Sequence, residues 1–179
     1  MAQATFAGRM RSEFTYGLIS GAGLCLWITL EYLLGLHTTR LEVGTYTGLL
    51  SNLIPLVTLF LLLRAKRAAI YDGRLSLGAG IWAGVVASFI AALLVYSFLV
   101  SYTHFINPTW IDQMLEGKVA QQRAVHMPEG LIQDGITATR DAYTPRGLVF
   151  TIIVGMTLMG GLFSFFLTLL VRQLPNRPT

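Results

Sequence analysis

Four apolar runs constrain this chain more than anything else in it. They are FTYGLISGAGLCLWITLEYLLGL at 14–36, VGTYTGLLSNLIPLVTLFLLL at 43–63, SLGAGIWAGVVASFIAALLVYSFLVSYTHF at 76–105 and GLVFTIIVGMTLMGGLFSFFLTLLV at 147–171. A helix needs about 20 mainly apolar residues to cross a bilayer. Inside lipid the backbone must satisfy its own polar groups, which a helix does within one segment. The expected fold is therefore all-α, a single four-helix transmembrane domain over residues 1–179. Composition agrees, because only 12% of the residues are charged, against about a quarter in soluble domains. The first run has 23 residues, more than the ~7–15 of a signal-peptide core, and no small-x-small cleavage site follows it. It is expected to be retained. The third run has 30. At about 1.5 Å per residue it overshoots a ~30 Å hydrocarbon core, so it should tilt or protrude.

The net charge of +4 does not point to nucleic acid, because the basic residues sit at the ends of the apolar runs. Arg9, Arg11, Arg64, Lys66, Arg67, Arg74, Arg172 and Arg177 fall on one side. Arg40, Lys118, Arg123, Arg140 and Arg146 fall on the other, diluted by Asp112, Glu116, Glu129, Asp134 and Asp141. The excess of positive charge in cytoplasmic loops predicts both termini inside, with the 37–42 turn and the 106–146 loop outside. In that outer loop Ile111, Met114, Leu115 and Val119 recur at helical spacing, and Pro128 with Glu129 can open a second helix. Two short amphipathic helices on the membrane surface or capping the bundle are expected.

Glu31 is the strongest functional candidate, since ionisable groups within a span are costly and generally serve a role. It lies five residues before the end of its run, about 7–8 Å at helical rise. The second run carries Asn52 and Pro55, and proline removes a backbone hydrogen bond and kinks a helix near the residue four before it. Antiparallel pairing puts Asn52 at the depth of Glu31, so a polar contact of Glu31, Asn52 and Pro55 is expected, serving as a fastening or as an ion relay. Gly17 and Gly21, Gly44 and Gly48, Gly80 and Gly84, with Gly161, are candidate close-packing positions between helices. Lone Cys25 excludes an internal disulfide and reads as a packing residue. His37 and His104, at the outer ends of two spans, are weak candidates as haem ligands, and with Tyr32, Tyr102 and Trp110 they fit an interfacial aromatic belt. No cofactor is predicted beyond that weak haem or chlorophyll-type option, and no metal site. No phosphate loop, zinc-protease, dinucleotide or serine-hydrolase motif is present.

Several stretches are familiar: YGLISG at 16–21, LSLGAGIWAG at 75–84, FINPTWID at 105–112 and GLFSFFLTLLVRQ at 161–173. On these the chain resembles a bacterial membrane family catalogued as domain of unknown function 4199. It departs from the family pattern with LSLG in place of an SFG-like start and with a shorter outer segment. The resemblance implies four spans and no established activity, and it supplies no catalytic residue. The expectation is a non-enzymatic protein of the bacterial inner membrane with a periplasmic 106–146 loop, a structural or accessory subunit contacting lipid and other membrane subunits. A small oligomeric transport or channel-like protein using Glu31, or a haem- or pigment-associated subunit, are the alternatives.

Overall fold

A computed structural model describes residues 6–37, 40–69 and 74–175. Arg177, residues 38–39 of the expected outer turn and residues 70–73 of the basic loop lie outside the described residues. Among those described, all regular structure is helical: α1 (Phe6–Leu33), α2 (Leu41–Leu50), α3 (Leu53–Ala69), α4 (Leu77–Ser101), α5 (Trp110–Ala124), α6 (Glu129–Ala142), α7 (Pro145–Leu148) and α8 (Gly155–Gln173). Two π-helical turns, Tyr102–Ile106 and Val149–Val154, extend α4 and join α7 to α8. Four stretches are long and apolar enough to cross a membrane: Met10–Leu33, Tyr46–Ala68, Leu77–Ile106 and Pro145–Gln173. Leu26, Leu33, Trp82, Leu158 and Phe166 are each more than half exposed. Water would penalise such a surface and lipid would not.

The expected second span is broken. α2 ends at Leu50 and α3 begins at Leu53. Pro55 cannot donate to the carbonyl of Ser51, and its ring crowds that carbonyl. Side chains take over at the break. Ser51 Oγ donates to Gly48 O at 2.6 Å and Asn52 Nδ2 donates to Leu49 O at 3.1 Å.

Packing centres on α4, which lies between α1 and α8. It starts at an N-cap, Ser76, whose Oγ accepts from Ala79 N at 3.2 Å. Small residues then bring three backbones together. A Cβ added to Gly17 would sit 2.6 Å from Ala87 O, and one on Gly21 3.0 Å from Ala91 O. Against α8, Gly80 receives Thr168, Gly84 receives Ser164 and Gly160 receives Ser88. Gly161 meets Val85. This is the close approach that substitutes for a hydrophobic force between helices in lipid. α3 packs on α1 and α8 and touches α4 much less, although α3 and α4 are consecutive spans.

The pair Gly44 and Gly48 behaves differently from expectation. A Cβ on Gly44 would overlap the carbonyl of Leu36 in the turn after α1, and one on Gly48 meets nothing within 4 Å. These two glycines fit a turn and face open space; they do not join two spans.

At the end of the bundle that carries the termini, α3 is held firmly. Leu59, Leu62 and Leu63 cluster with Leu75, Ala83, Ala87 and Val171. Glu13 and Lys66 form an ion pair there, 2% and 3% exposed. Arg67 donates to the carbonyls of Val171 and, at 2.9 Å, of Leu174, placing its charge at the C-terminus of α8 where the helix dipole favours it. At the opposite end α5 and α6 form a helical hairpin. The core there comprises Leu24, Val95, Leu99 and Leu148, with Ile54 packed against it from α3.

Overpacking a tight contact costs about 1–3 kcal/mol. Gly84→Ala should therefore lower the thermal midpoint in detergent, and adding Ser164→Gly should restore most of it. If the double variant is no better than Gly84→Ala alone, the interlock between α4 and α8 is not the source of the loss.

Candidate functional site

The site lies at the hairpin end and begins with a glycine. α1 stops at Leu33, and Gly35 takes φ 73°, the left-handed conformation that closes helices and that glycine adopts freely. Leu36 N then bonds to Glu31 O at 2.9 Å. The chain doubles back, so His37, six residues on, reaches the side chain of Glu31. Nε2 of His37 lies 3.3 Å from Glu31 Oε2, and Nδ1 lies 2.8 Å from the hydroxyl of Tyr102. Tyr102 is the first residue of the π-helical turn after α4. The turn closes with Asn107 N donating to Tyr102 O at 2.8 Å, and Asn107 Nδ2 donates to the Tyr102 hydroxyl at 3.3 Å.

Donor and acceptor chemistry orders this chain. With Glu31 as a carboxylate, which only accepts, the matching tautomer of His37 donates from Nε2–H to Glu31. Nδ1 of the neutral ring then accepts from the Tyr102 hydroxyl, whose oxygen accepts from Asn107. All four side chains are buried: Glu31 6%, His37 8%, Tyr102 1% and Asn107 5% exposed. Rings enclose them. Trp110 lies 5.2 Å from His37, 5.3 Å from Tyr102 and 5.4 Å from Tyr143, and Tyr32 lies 5.8 Å from Tyr102. Tyr102 and Trp110 thus turn inward onto a histidine, which an interfacial belt would not do. Burial pushes the Tyr143 phenol up from its ordinary value, keeping it protonated.

Beside this network is a cavity of about 1350 Å³. Pockets for drug-sized ligands run about 300–1,000 Å³. α1 contributes Trp27, Ile28 and Glu31, and α2 and α3 contribute Gly48, Ser51, Asn52 and Pro55. The far walls are Ala91, Val95 and Leu99 of α4 and Met156, Met159 and Phe163 of α8, with Thr151 and Ile152 from the second π-helical turn. α5 forms the roof, with Met114, Lys118 and Gln121 on one face. Among the described residues that line it, Glu31 and Lys118 are the charged ones. Two of the lining residues each bury a polar atom with no hydrogen-bond partner, Glu31 Oε1 and Trp27 Nε1.

The expected contact between Glu31 and Asn52 is therefore not formed. Both line the cavity, but Asn52 is exposed and donates to its own helix end, while Glu31 turns to His37. The reason is local: the break at Ser51 leaves a carbonyl within reach of Asn52, and Gly35 returns a stronger partner to Glu31. The two histidines are also not a facing pair. His37 uses both ring nitrogens, and His104 is exposed beside Phe105. Haem ligation by His37 would take one ring nitrogen from its present partner, Glu31 or Tyr102. Cys25 packs, part-buried, against the cluster around Leu24 and Val95. Among the described residues no group of three His, Cys, Asp or Glu side chains could hold a metal. Tyr102, Asn107, Trp27 and Lys118 were not singled out as site residues from the sequence. The Asn–Pro step just after a tyrosine-bearing span end, and a glycine two residues before His37, were the available signals.

Residues 15–173 match the family described as protein of unknown function (DUF4199). The chain belongs to the DUF4199 family. No curated protein and no solved structure matches it. The family's description names no activity, so the chemistry of this DUF4199 protein has to be argued from its own residues.

Burial holds the His37 imidazole below its ordinary value near 6.5, against the opposing pull of the Glu31 carboxylate. The unfolded chain therefore binds this proton more readily than the folded one. The stabilisation is complete above about pH 6.5 and is lost as acid charges the ring. The thermal midpoint in detergent should fall as pH is lowered from 7 toward 5, and His37→Gln should flatten that slope. An unchanged slope in the variant would assign the acid sensitivity elsewhere. Tyr102→Phe, which strips the hydroxyl from a buried network, should cost about 1–3 kcal/mol at neutral pH.

Proposed function

We propose that this protein acts without chemistry of its own, as a bilayer protein that takes an amphiphilic molecule into the cavity between α1, α2–α3, α4 and α8. The cavity itself supports this most directly. It is larger than a drug-sized pocket, mostly apolar, and bounded on one side by the broken α2–α3 segment. Nothing assembles a nucleophile, a base and an oxyanion site there; the polar groups it offers suit recognition. The surrounding placement follows from charge: the basic residues near the termini and after α3 support a cytoplasmic terminal end in a bacterial inner membrane, with α5–α6 in the periplasm. An accessory place in a larger membrane assembly also belongs to this proposal. It rests on the small size of the chain, since most of the glycines that could have received partner helices are used within the bundle.

A second reading has one observation in its favour. The ordered chain Tyr102–His37–Glu31, with Asn107 orienting the tyrosine, would carry a proton toward the cavity. Proton flux in liposomes that is unchanged by Glu31→Gln would remove it.

Gly48 gives the test of the main reading. It lines the cavity, and a side chain there starts in open space. Gly48→Trp should narrow the cavity while preserving the fold, with thermal stability equal to or slightly above wild type because glycine is a poor helix former. Lipid-like molecules that co-purify with the wild type, measured by native mass spectrometry and extraction, should be lost from the variant. Equal retention in both would refute the reading.

A further inference from the structure

We infer that the cavity takes a lipid with an anionic head group, its head against Lys118 of α5 and its tail between the spans, an assignment that rests on the cavity being a binding site. The cations of the α5–α6 hairpin divide by use. Arg123 pairs with Glu129 at 2.8 Å and Arg140 with Asp112 at 3.0 Å. Lys118 makes no ion pair among the described residues. The residues three and four positions from it, Met114, Leu115, Gln121 and Gln122, include no acid, so its helical neighbours do not neutralise it. It is exposed and lines the cavity. α5 turns Met114, Gly117, Lys118, Gln121 and Ala124 to that side, a set at three- and four-residue steps that makes one helical face. The acids of α5, Asp112 and Glu116, lie off that face.

Glu31 does not cancel this charge for an entering molecule. It is 6% exposed, its Oε1 is buried and its Oε2 faces His37. The accessible charge of the cavity is therefore positive. Gln121 of α5 and Tyr46 and Asn52 of the α2–α3 segment are exposed lining residues, and their amides and hydroxyl can donate to an anion. α2, which carries Tyr46, touches α5. The rest of the wall includes Leu24, Val95, Met156, Met159 and Phe163, with two flexible methionines that can adapt to a tail. The lining runs from Ser20 to Glu31 on α1 and from Ser88 to Leu99 on α4. Each stretch is about 16 Å long at helical rise, close to half of a ~30 Å hydrocarbon core. That is the depth of one leaflet, with the cation at its roof. A lipid of the leaflet on the hairpin side fits this polarity with its head at α5. An ammonium head meets Lys118 as a like charge, and a neutral head leaves that charge unpaired. Phosphatidylglycerol and ionised fatty acids share the required chemistry, an oxyanion on an acyl tail, to which a lysine ammonium donates strong hydrogen bonds.

The test compares matched heads on the purified full-length protein in a neutral detergent, by native mass spectrometry and ligand-induced thermal shift. The probes are phosphatidylglycerol and phosphatidylcholine with the same acyl chains, a long-chain fatty acid and a long-chain amine. Salt is held at about 0.15 M, where exposed charges more than ~8 Å apart are largely screened. In the wild type phosphatidylglycerol should bind about fivefold more tightly than phosphatidylcholine, the upper range for one exposed ion pair. Whether phosphatidylglycerol or the fatty acid binds more tightly identifies the source. Lys118→Gln should bring the ratio close to one, and Lys118→Glu should reverse it. Arg123→Gln makes the same change in net charge on the same helix and should leave the ratio intact. An equal loss in Arg123→Gln would assign the preference to the overall charge of the hairpin and overturn the role of Lys118. Because each ratio is taken within one variant, a loss of stability common to both lipids cancels. If the two phospholipids bind equally to the wild type and Gly48→Trp weakens both, the cavity is a binding site and the anionic assignment is wrong. If Gly48→Trp changes nothing, both fall. A preference that survives Lys118→Gln, or tighter binding of the amine than of the fatty acid, also overturns the assignment.

Discussion

The close contact of α4 with α1 on one side and α8 on the other fixes the rest of this molecule. Lipid supplies no hydrophobic force to bring helices together, so contact depends on backbones approaching until dispersion and weak polar contacts accumulate. Gly17 and Gly21 allow this on α1, and the alternation of Gly80, Gly84 and Ser88 against Thr168, Ser164 and Gly160 allows it on α8. The three helices form a rigid unit whose mutual positions leave little tolerance. α3 is added to that unit chiefly at the terminal end, through leucines, a buried ion pair and the Arg67 contact with the end of α8.

The consequence is asymmetry along the bundle axis. At the terminal end all four spans meet. At the hairpin end the break at Ser51 releases α2 from the path of α3, and Gly44 seats α2 against the turn after α1. The space that α2 would fill as a continuous helix becomes the cavity. Two π-helical turns on α4 and before α8 border this same region. Such turns add a residue to the helical spiral and re-aim the side chains that follow. One of them begins at Tyr102, which bonds His37, and the other holds Thr151 and Ile152 in the cavity wall.

Much of the architecture could be read from hydropathy. Lipid imposes a length and a helical backbone on any long apolar run, so the four spans and the short helices of the 106–146 loop follow from local rules. The family was visible in YGLISG and FINPTWID. The break in the second span followed from Pro55. The partners did not follow. Pairing Glu31 with Asn52 relied on equal depth, whereas the deciding event was a left-handed turn at Gly35 that brought His37 back. Lys66 counted as one more cytoplasmic charge, yet it shares a helical face with Leu59, Leu62 and Leu63, and that periodicity places it in the core beside Glu13. Gly44 and Gly48 have the same spacing as the packing glycines and a different use, because the pattern records spacing but not which face the neighbouring helix covers.

A large apolar cavity in this position is costly as empty space. Packed interiors lose contact energy around every void, and water is a poor filler where polar partners are few. Apolar chains from the surrounding leaflet carry no such penalty, so a tail gains little by entry alone and the walls cannot by themselves choose one lipid over another. Discrimination has to come from atoms that lipid tails do not satisfy. The polar groups that line this cavity include Glu31 of α1, whose carboxyl His37 holds, and Ser51 and Asn52 at the break. A packed helix on one side and a broken segment on the other leave the cavity with unlike walls.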